Sequence, residues 1–102
     1  METVDVTFVR IYVMESDFLP NSVISYLKNE AKIRGISVFR AVSGFGETGM
    51  HSGTSVDPTP NLPLAIEFFD HKDKVEIALK YLSNTIKNNH IVFWDAKANN
   101  GP

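Results

Sequence analysis

Three glycines in the middle of the chain have the spacing of a phosphate-binding turn. The stretch RAVSGFGETGMHSG, residues 40–53, contains Gly44-x-Gly46-x-x-Gly49. In a dinucleotide-binding fold such glycines follow a strand and open a helix, whose N-terminus meets the phosphates. Here an apolar strand precedes Gly44, but MHSGTSVDPTPN follows Gly49, and no helix can begin in such a sequence. Since Gly-Lys-Ser/Thr is also absent, both the dinucleotide fingerprint and the Walker loop are excluded.

The other residue types that could do chemistry do not form a recognisable catalytic or metal site. His51, His71 and His90 are scattered, without an i, i+4 pair or an HExxH motif. No serine lies in a nucleophile elbow, and the absence of cysteine excludes thiolate chemistry and disulfides. Glu67 offers a carboxylate in an apolar strand, but nothing assigns it an acid–base partner. We therefore expect neither an enzyme nor a metal site.

The elements that must position these residues follow the order βαββαβ. Runs of β-branched and aromatic residues predict strands over 4–14, 36–43, 62–70 and 90–96. Helical spacing predicts one helix that begins near Pro20 and stops at Gly35, and a second that ends at Asn88-Asn89. Asp70 and Asp73 have the spacing of a capping box for the second helix.

Two βαβ units in 102 residues predict an α+β, ferredoxin-like split-βαβ sandwich. In that fold two helices cover one face of a four-stranded antiparallel sheet. We expect a single domain over residues 1–98, which includes a long segment 44–61, and a polar, disordered tail at 99–102.

Both faces of the predicted sheet carry apolar side chains. One alternation set contains Ile36, Val38, Val42, Leu62, Leu64, Ile66 and Phe68, and the other contains Phe39, Ala41, Ala65, Phe69, Val92 and Trp94. The alternation does not decide which set faces the helices. Because a solvated sheet face is normally polar, the second apolar face predicts a cover. Another copy of the chain is favoured over a terminus or loop.

Charge and hydropathy argue against nucleic acid and the membrane interior as partners. The net charge of −2 gives no broad basic surface for nucleic acid. RNA-recognition modules share the topology, but LPLAIEFF lacks the basic residue and glycine of their third-strand motif. METVDVTFVR is not a signal peptide, and no stretch is long enough to cross a bilayer. We expect a cytoplasmic protein without nucleic-acid binding or membrane insertion.

The segment 44–61 is long for so small a domain. It holds four glycines and two prolines among small polar residues, and almost nothing in it can be buried. Loops of this length without structure are uncommon and are often functional. A recognition loop is therefore favoured over a plain connection.

Four motifs spaced along the chain carry a family resemblance. They are RIYV at 10–13, SVFRAVSGFG at 37–46, MHS at 50–52 and NLPLAIEFFD at 61–70. In this order they resemble the nitrogen regulatory PII signalling proteins and, more closely, the PII-like proteins of domain-of-unknown-function family 190. The resemblance extends over nearly the whole chain, and its motifs are specific only in combination.

The resemblance implies a homotrimer that binds adenine nucleotides in clefts between subunits. The junction of strand and loop forms one wall of such a cleft, which by position contains Arg40, Val42, Gly44, Phe45, Gly46, Glu47 and Thr48. Arg40 could bind a phosphate through two N–H donors. Segment 44–61 corresponds to the T-loop that contacts a regulated partner such as a membrane transporter, and its candidate contacts are His51, Ser52, Thr54 and Asp57.

Three departures from the PII pattern bear on the ligand. Glu47 and Thr48 stand where PII proteins have an arginine and the glutamine that helps hold magnesium and 2-oxoglutarate. The segment before the last strand has Lys87 but no glycine, and the loop has no tyrosine to modify. These differences argue against 2-oxoglutarate sensing and leave ATP binding open. The alternative function is therefore a trimeric structural or interaction protein without nucleotide binding, and the adenine nucleotide is a possible ligand only.

Overall fold

A two-layer α/β sandwich, with two helices on one face of a four-stranded sheet, contains most of the chain. The computed structural model describes residues 1–16, 19–46, 49–52 (backbone only) and 61–101. The elements are β1 (Thr3–Met14), α1 (Leu19–Asn29), β2 (Ser37–Arg40), β3 (Ser43–Gly46), β4 (Gly49–Ser52), β5 (Pro63–Asp70), α2 (Lys72–Leu82) and β6 (Ile91–Asn99). Four strands form an antiparallel sheet in the order β2-β5-β1-β6. This order is that of a split-βαβ, ferredoxin-like fold, so the predicted fold class is confirmed.

The core lies between one face of the sheet and the two helices. Register places Ile11 beside Ile66 and Val9 beside Phe68, and all four side chains are buried. The helices contribute buried residues at helical spacing: Val23, Tyr26 and Leu27 from α1, and Val75, Ala78 and Leu82 from α2. The alternation set with Ile66 and Phe68 therefore faces the helices, which the sequence left open.

The second strand is shorter than predicted. β2 covers Ser37–Arg40 rather than 36–43, and its register with β5 ends where Arg40 lies opposite Leu64. The Ala41 N–H still donates to the Pro63 carbonyl at 2.9 Å. Pro63 has no N–H to donate in return, so the ladder stops there. Val42 therefore does not reach the core and is 83% exposed.

The segment after β2 is not a plain loop. Residues 43–46 and 49–52 pair as a separate two-stranded antiparallel hairpin, with Phe45 opposite Met50 and Gly44 opposite His51. The prediction of a structureless connection over 44–61 is thus wrong for its first part. Residues 47, 48 and 53–60 lie outside the described residues.

The first helix ends earlier than the sequence indicated. α1 stops at Asn29, and the chain then turns through Lys32, whose φ of 57° is left-handed. Gly35, predicted as the stop, has no positive φ and lies in the link to β2. The turn returns Ile33 to the core, where this side chain is 8% exposed and its N–H donates to the Leu27 carbonyl at 2.9 Å.

The predicted capping box at the second helix does not form. The N-cap of α2 is His71, whose side chain makes no capping hydrogen bond, and Asp73 lies in the first turn. Asp70 points inward instead and is fully buried. Its carboxylate accepts the N–H of its neighbour His71 and that of the distant Arg34, because β5 ends beside the turn that follows α1.

The end of α2 also differs from the prediction. The helix stops at Leu82 rather than at Asn88-Asn89. Ile86 stays buried because the chain continues in turns, with the Ile86 N–H donating to the Leu82 carbonyl. Asn89 has a left-handed φ of 66° and begins the approach to β6.

The last strand is longer than predicted. β6 runs to Asn99, which pairs with Thr3, and the Asn100 N–H donates to the Glu2 carbonyl at 2.9 Å. The added length of β6 therefore pairs with the first residues of β1. Residue 99, assigned from the sequence to the tail, therefore lies in the sheet. Within the described residues, neither helix is long and apolar enough to span a bilayer.

Candidate ligand-binding site

Arg40, the predicted phosphate contact, is engaged in an ion pair at the base of the hairpin. Its guanidinium donates from Nε at 3.1 Å and from Nη2 at 3.0 Å to the same Glu15 oxygen. The Leu62 N–H donates to that oxygen at 3.4 Å. About half of the Arg40 side chain stays accessible to solvent. The contact joins the end of β1 to both ends of the segment between β2 and β5.

Backbone hydrogen bonds strengthen the same junction. The Glu15 N–H donates to the Leu62 carbonyl at 2.9 Å, and the Ser16 N–H donates to the Asn61 side chain at 3.0 Å. A Cβ placed at Gly44 would lie 3.8 Å from the Pro63 ring, an ordinary contact distance. The hairpin therefore leaves the sheet from a well-anchored base.

The other wall residues that the structure describes do not enclose a site within one chain. Val42 and Phe45 are 83% and 84% exposed, and no described residue beyond its chain neighbours lies within 4 Å of a Cβ placed at Gly46. His51 and Ser52 lie in β4, of which the backbone alone is described. Glu47, Thr48, Thr54 and Asp57 fall outside the described residues.

The sheet face opposite the helices carries a row of aromatic side chains. Phe8 stacks on Trp94 with ring centroids 4.7 Å apart and on Phe69 at 6.1 Å. Large hydrophobic residues of this face are 41–54% exposed in the single chain: Tyr12, Phe39, Phe69, Val92 and Trp94. The second apolar alternation set is thus the one that the helices leave uncovered.

An ion pair lies in the middle of this face. The Arg10 Nε donates to Glu67 at 2.5 Å, and its guanidinium carbon lies 5.7 Å from the centre of the Trp94 ring. Hydrogen bonds to Tyr12, which has the larger effect, and to Glu67 raise the pKa of Arg10. Arg10 therefore stays positively charged. Glu67 is therefore the ion-pair partner of Arg10.

A concavity of about 690 Å³ opens at the far end of the same face. Its lining comes from all four strands of the sheet and from the link before β2, and it includes Phe8, Arg34, Ser37, Glu67, Phe69 and Asn100. The volume is within the range of small-molecule sites. The sequence did not identify this site, because its residues are far apart in the chain and share no motif.

The buried Asp70 fixes one wall of the concavity. Its Oδ2 accepts the Arg34 N–H at 3.1 Å and lies 3.4 Å from the Lys74 ammonium, while Oδ1 accepts the His71 N–H at 2.8 Å. Burial raises the pKa of the Asp70 carboxyl. The N–H groups of His71 and Arg34 and the charge of Lys74 outweigh that effect, so the pKa is lowered overall. Asp70 is therefore a charged acceptor at neutral pH.

The concavity and the predicted wall lie at opposite ends of the sheet. Phe69 is near the end of β5, and Pro63, beside the hairpin base, begins it. Six residues of extended strand span about 20 Å. Ser37, which also lines the concavity, is closer to the predicted wall, because it precedes Arg40 by three residues of β2, or about 10 Å of extended strand.

The histidines are not brought together. His71 precedes α2 beside the concavity, whereas His90 lies before β6 at the hairpin end of the sheet. In the described part of the chain, no group of three histidine, aspartate or glutamate side chains is placed to hold a metal ion.

Comparison with known proteins identifies relatives of the sequence. The model of the DUF190 family, described as "Uncharacterized ACR", matches residues 6–98. No curated protein matches the chain.

Comparison with solved structures gives the same fold at low sequence identity. The protein CPII of Thiomonas intermedia K12, a nitrogen regulatory PII-like protein solved with ADP, AMP and bicarbonate, superposes with a TM-score of 0.70 at 13% identity, over 95% of this chain and 91% of that one. A PII-like signalling protein of Thermus thermophilus superposes with a TM-score of 0.65 at 14% identity, over 96% and 91% of the two chains. At such identities the likeness shows the fold alone.

Proposed function

The chain belongs to the DUF190 family, and from that premise we propose that it is a PII-like regulatory protein that binds an adenine nucleotide between subunits of a homotrimer. The hairpin after β2 and the segment that follows it, up to residue 61, then contact a regulated partner protein. The role is one of signalling rather than catalysis.

The observation that carries this proposal is the uncovered apolar face of the sheet. Three aromatic rings, Phe69, Phe8 and Trp94, stack in a row across it, and Phe39 at the edge is 54% exposed. A monomeric protein rarely exposes a large group of adjoining aromatic side chains, and here they surround a single ion pair, Arg10–Glu67. Further copies of the same chain are the simplest cover, because a closed symmetric oligomer buries the same face in every subunit.

The separation of the two candidate surfaces supports a site between subunits. The wall suggested by the resemblance begins at Arg40, which is about 10 Å of strand from Ser37 on the near side of the concavity and about 20 Å from the level of Phe69 on its far side. Assembly can place the hairpin base of one subunit next to the concavity of its neighbour. The cleft would then be complete only in the oligomer.

The nucleotide is proposed from the relatives and from the chemistry of the concavity. The Thiomonas protein is described with ADP and AMP bound. In this chain, Phe8 and Phe69 offer apolar ring edges, since their faces stack on each other, on Trp94 and on the Arg34 guanidinium. Ser37 and Asn100 offer hydrogen-bonding groups. A purine ring needs both kinds of contact.

Assembly is tested by measuring the mass of the wild-type protein in solution. We expect about three times the 11.4 kDa of one chain. Phe39→Ser should lower that mass, since it places a hydroxyl in the proposed interface. Ile77→Ser is the matched control, because Ile77 is 68% exposed on α2, on the other side of the sheet. A wild-type monomer would refute the proposal.

Ligand binding is tested by thermal denaturation with AMP, ADP, ATP or 2-oxoglutarate, each with and without magnesium. A ligand at a hundred times its dissociation constant stabilises the fold by about 2.7 kcal/mol, which raises Tm by roughly 10 °C or more for a domain of this size. A shift with an adenine nucleotide supports the proposed function.

The second candidate is a trimeric interaction protein that binds no nucleotide. It is favoured by the engagement of Arg40 with Glu15 and by the absence of glycine in the segment 83–90 before β6. A trimer that gives no thermal shift with any of these ligands would establish it in place of the first.

A further inference from the structure

The concavity at the far end of the sheet has a single strong cation at its rim. Among the described residues that line it, Arg34 is the only lysine or arginine. Glu67, the only lining carboxylate in that set, is already paired with Arg10 at 2.5 Å. The charge that a ligand meets there is therefore dominated by Arg34.

Arg34 contacts both the buried Asp70 and the Phe69 ring. Its backbone N–H donates to the buried Asp70 at 3.1 Å, and its Nε lies 3.7 Å from the other oxygen of that carboxylate. The guanidinium carbon also lies 6.0 Å from the centre of the Phe69 ring. One backbone contact and two side-chain contacts thus position Arg34.

The turn that carries Arg34 is fixed from its other side as well. The Lys74 ammonium donates to the Lys32 carbonyl at 2.9 Å and lies 3.4 Å from Asp70. Lys32 has a left-handed backbone conformation in the turn that follows α1. Asp70 and Lys74 therefore hold the turn through backbone groups, independently of which side chains it displays.

The arrangement leaves Arg34 able to bind an anion. Its side chain is 59% exposed, and a guanidinium has five N–H donors, of which Nε faces Asp70. The two terminal nitrogens form the fork that matches a phosphate or carboxylate. Because Arg34 lies against Phe69, an anion bound there would be next to an aromatic ring.

We propose that Arg34, positioned by the buried Asp70, recognises the anionic group of a ligand whose flat ring contacts the exposed ring edges of Phe8 and Phe69. The ligand class is an aromatic ring that carries a phosphate, as in a nucleoside monophosphate or diphosphate. The proposal rests on the proposed function for the identity of the ligand, and it assigns the recognition of ligand charge to Arg34 instead of Arg40.

The experiment is isothermal titration of the wild-type protein and Arg34→Gln with adenosine, AMP and ADP, which share one ring and differ in charge. We expect the wild-type protein to bind AMP roughly tenfold or more tightly than adenosine, since a charge-assisted hydrogen bond has that value. In Arg34→Gln this preference should fall to about unity, while the affinity for adenosine stays within about twofold.

Lys97→Gln is the matched control for long-range charge. Lys97 precedes Ala98, which lines the concavity, but its own side chain pairs with the exposed Asp5. We expect the AMP preference of Lys97→Gln to equal that of the wild-type protein. An equal loss of preference in Lys97→Gln and Arg34→Gln would overturn the assignment to Arg34.

Asp70→Asn tests the positioning separately. We expect faster amide hydrogen exchange at Arg34 without any ligand and a weaker preference for AMP over adenosine. Unchanged exchange at Arg34 would overturn the role of Asp70.

Two outcomes separate this inference from the proposed function. If Arg34→Gln retains the wild-type preference for AMP, the inference fails and nucleotide binding stands. If the wild-type protein binds none of the three ligands, both the proposed function and the recognition by Arg34 fail.

Discussion

Replacement of Asp70 by asparagine should be among the most damaging conservative substitutions in this protein. The carboxylate is fully buried and accepts backbone N–H groups from Arg34 and His71 at 3.1 and 2.8 Å. An asparagine keeps one acceptor oxygen and turns the other into a donor, which then faces an N–H group or the Lys74 ammonium. One buried donor is left without a partner, and the lysine loses its counter-charge.

The size of the effect follows from these contacts. A hydrogen bond to a charged group is worth about 1.5–3 kcal/mol, and removal of one partner of a buried ion pair costs about 3–5 kcal/mol. Since Lys74 is partly exposed, we take the lower end and expect about 3 kcal/mol. That corresponds to a fall in Tm of roughly 12–24 °C, measured at a fixed chain concentration because assembly affects Tm.

The pH dependence gives an independent check with a defined sign. The pKa of Asp70 is lowered in the folded state, so its stabilisation is fully present above the unfolded value of about 3.9. It is lost as the pH falls from there through the folded pKa. The difference in unfolding free energy between the wild-type protein and Asp70→Asn should therefore be constant from about pH 6 to 5 and should shrink below about pH 4.

The assay is urea denaturation of the wild-type protein, Asp70→Asn and Asp73→Asn across this pH range. Asp73 is an exposed aspartate in the first turn of α2, and its replacement should cost less than about 1 kcal/mol. The reasoning is refuted if Asp70→Asn is as stable as Asp73→Asn at pH 6. It is also refuted if the deficit of Asp70→Asn does not decrease between pH 4 and pH 3.

Three further predictions concern other contacts. Arg40→Ala should lower the unfolding free energy by less than about 1 kcal/mol, because its pair with Glu15 is exposed; a larger loss in chemical denaturation would show a stronger anchor. Ile66→Ala should cost about 2–5 kcal/mol in the same assay, since this side chain is fully buried. A double-mutant cycle of Tyr26 and Tyr81, whose rings stack 3.8 Å apart, should give a coupling of about 0.5–1.5 kcal/mol, and a coupling near zero would contradict the stacking.

The strands and helices were predictable wherever the apolar pattern is long. β1 and β5 lie within one residue of their predicted bounds, because continuous β-branched and aromatic runs have no other arrangement that buries them. Both helices were found from their apolar spacing. Their ends were not, since the termini depend on tertiary contacts such as the hydrogen bond from the Arg34 N–H to Asp70.

The hairpin shows where sequence reasoning has too little signal. Glycines and small polar residues in 44–52 have low strand propensity, so the sequence favours a loop. The pairing of β3 with β4 is nevertheless made by backbone groups, which every residue except proline provides in full. Anchoring of the hairpin base, through Glu15, is a contact between residues far apart in the chain.

The sequence by itself determined the fold, the absence of cysteine chemistry and the presence of two apolar sheet faces, because periodicity and composition are local properties. Only the tertiary structure decided which face the helices cover. It also decided that Arg40 pairs with Glu15 and that Arg34, Phe8 and Phe69 border one concavity. These outcomes depend on strand register and on the path of the chain between elements, which place residues more than thirty positions apart within contact distance.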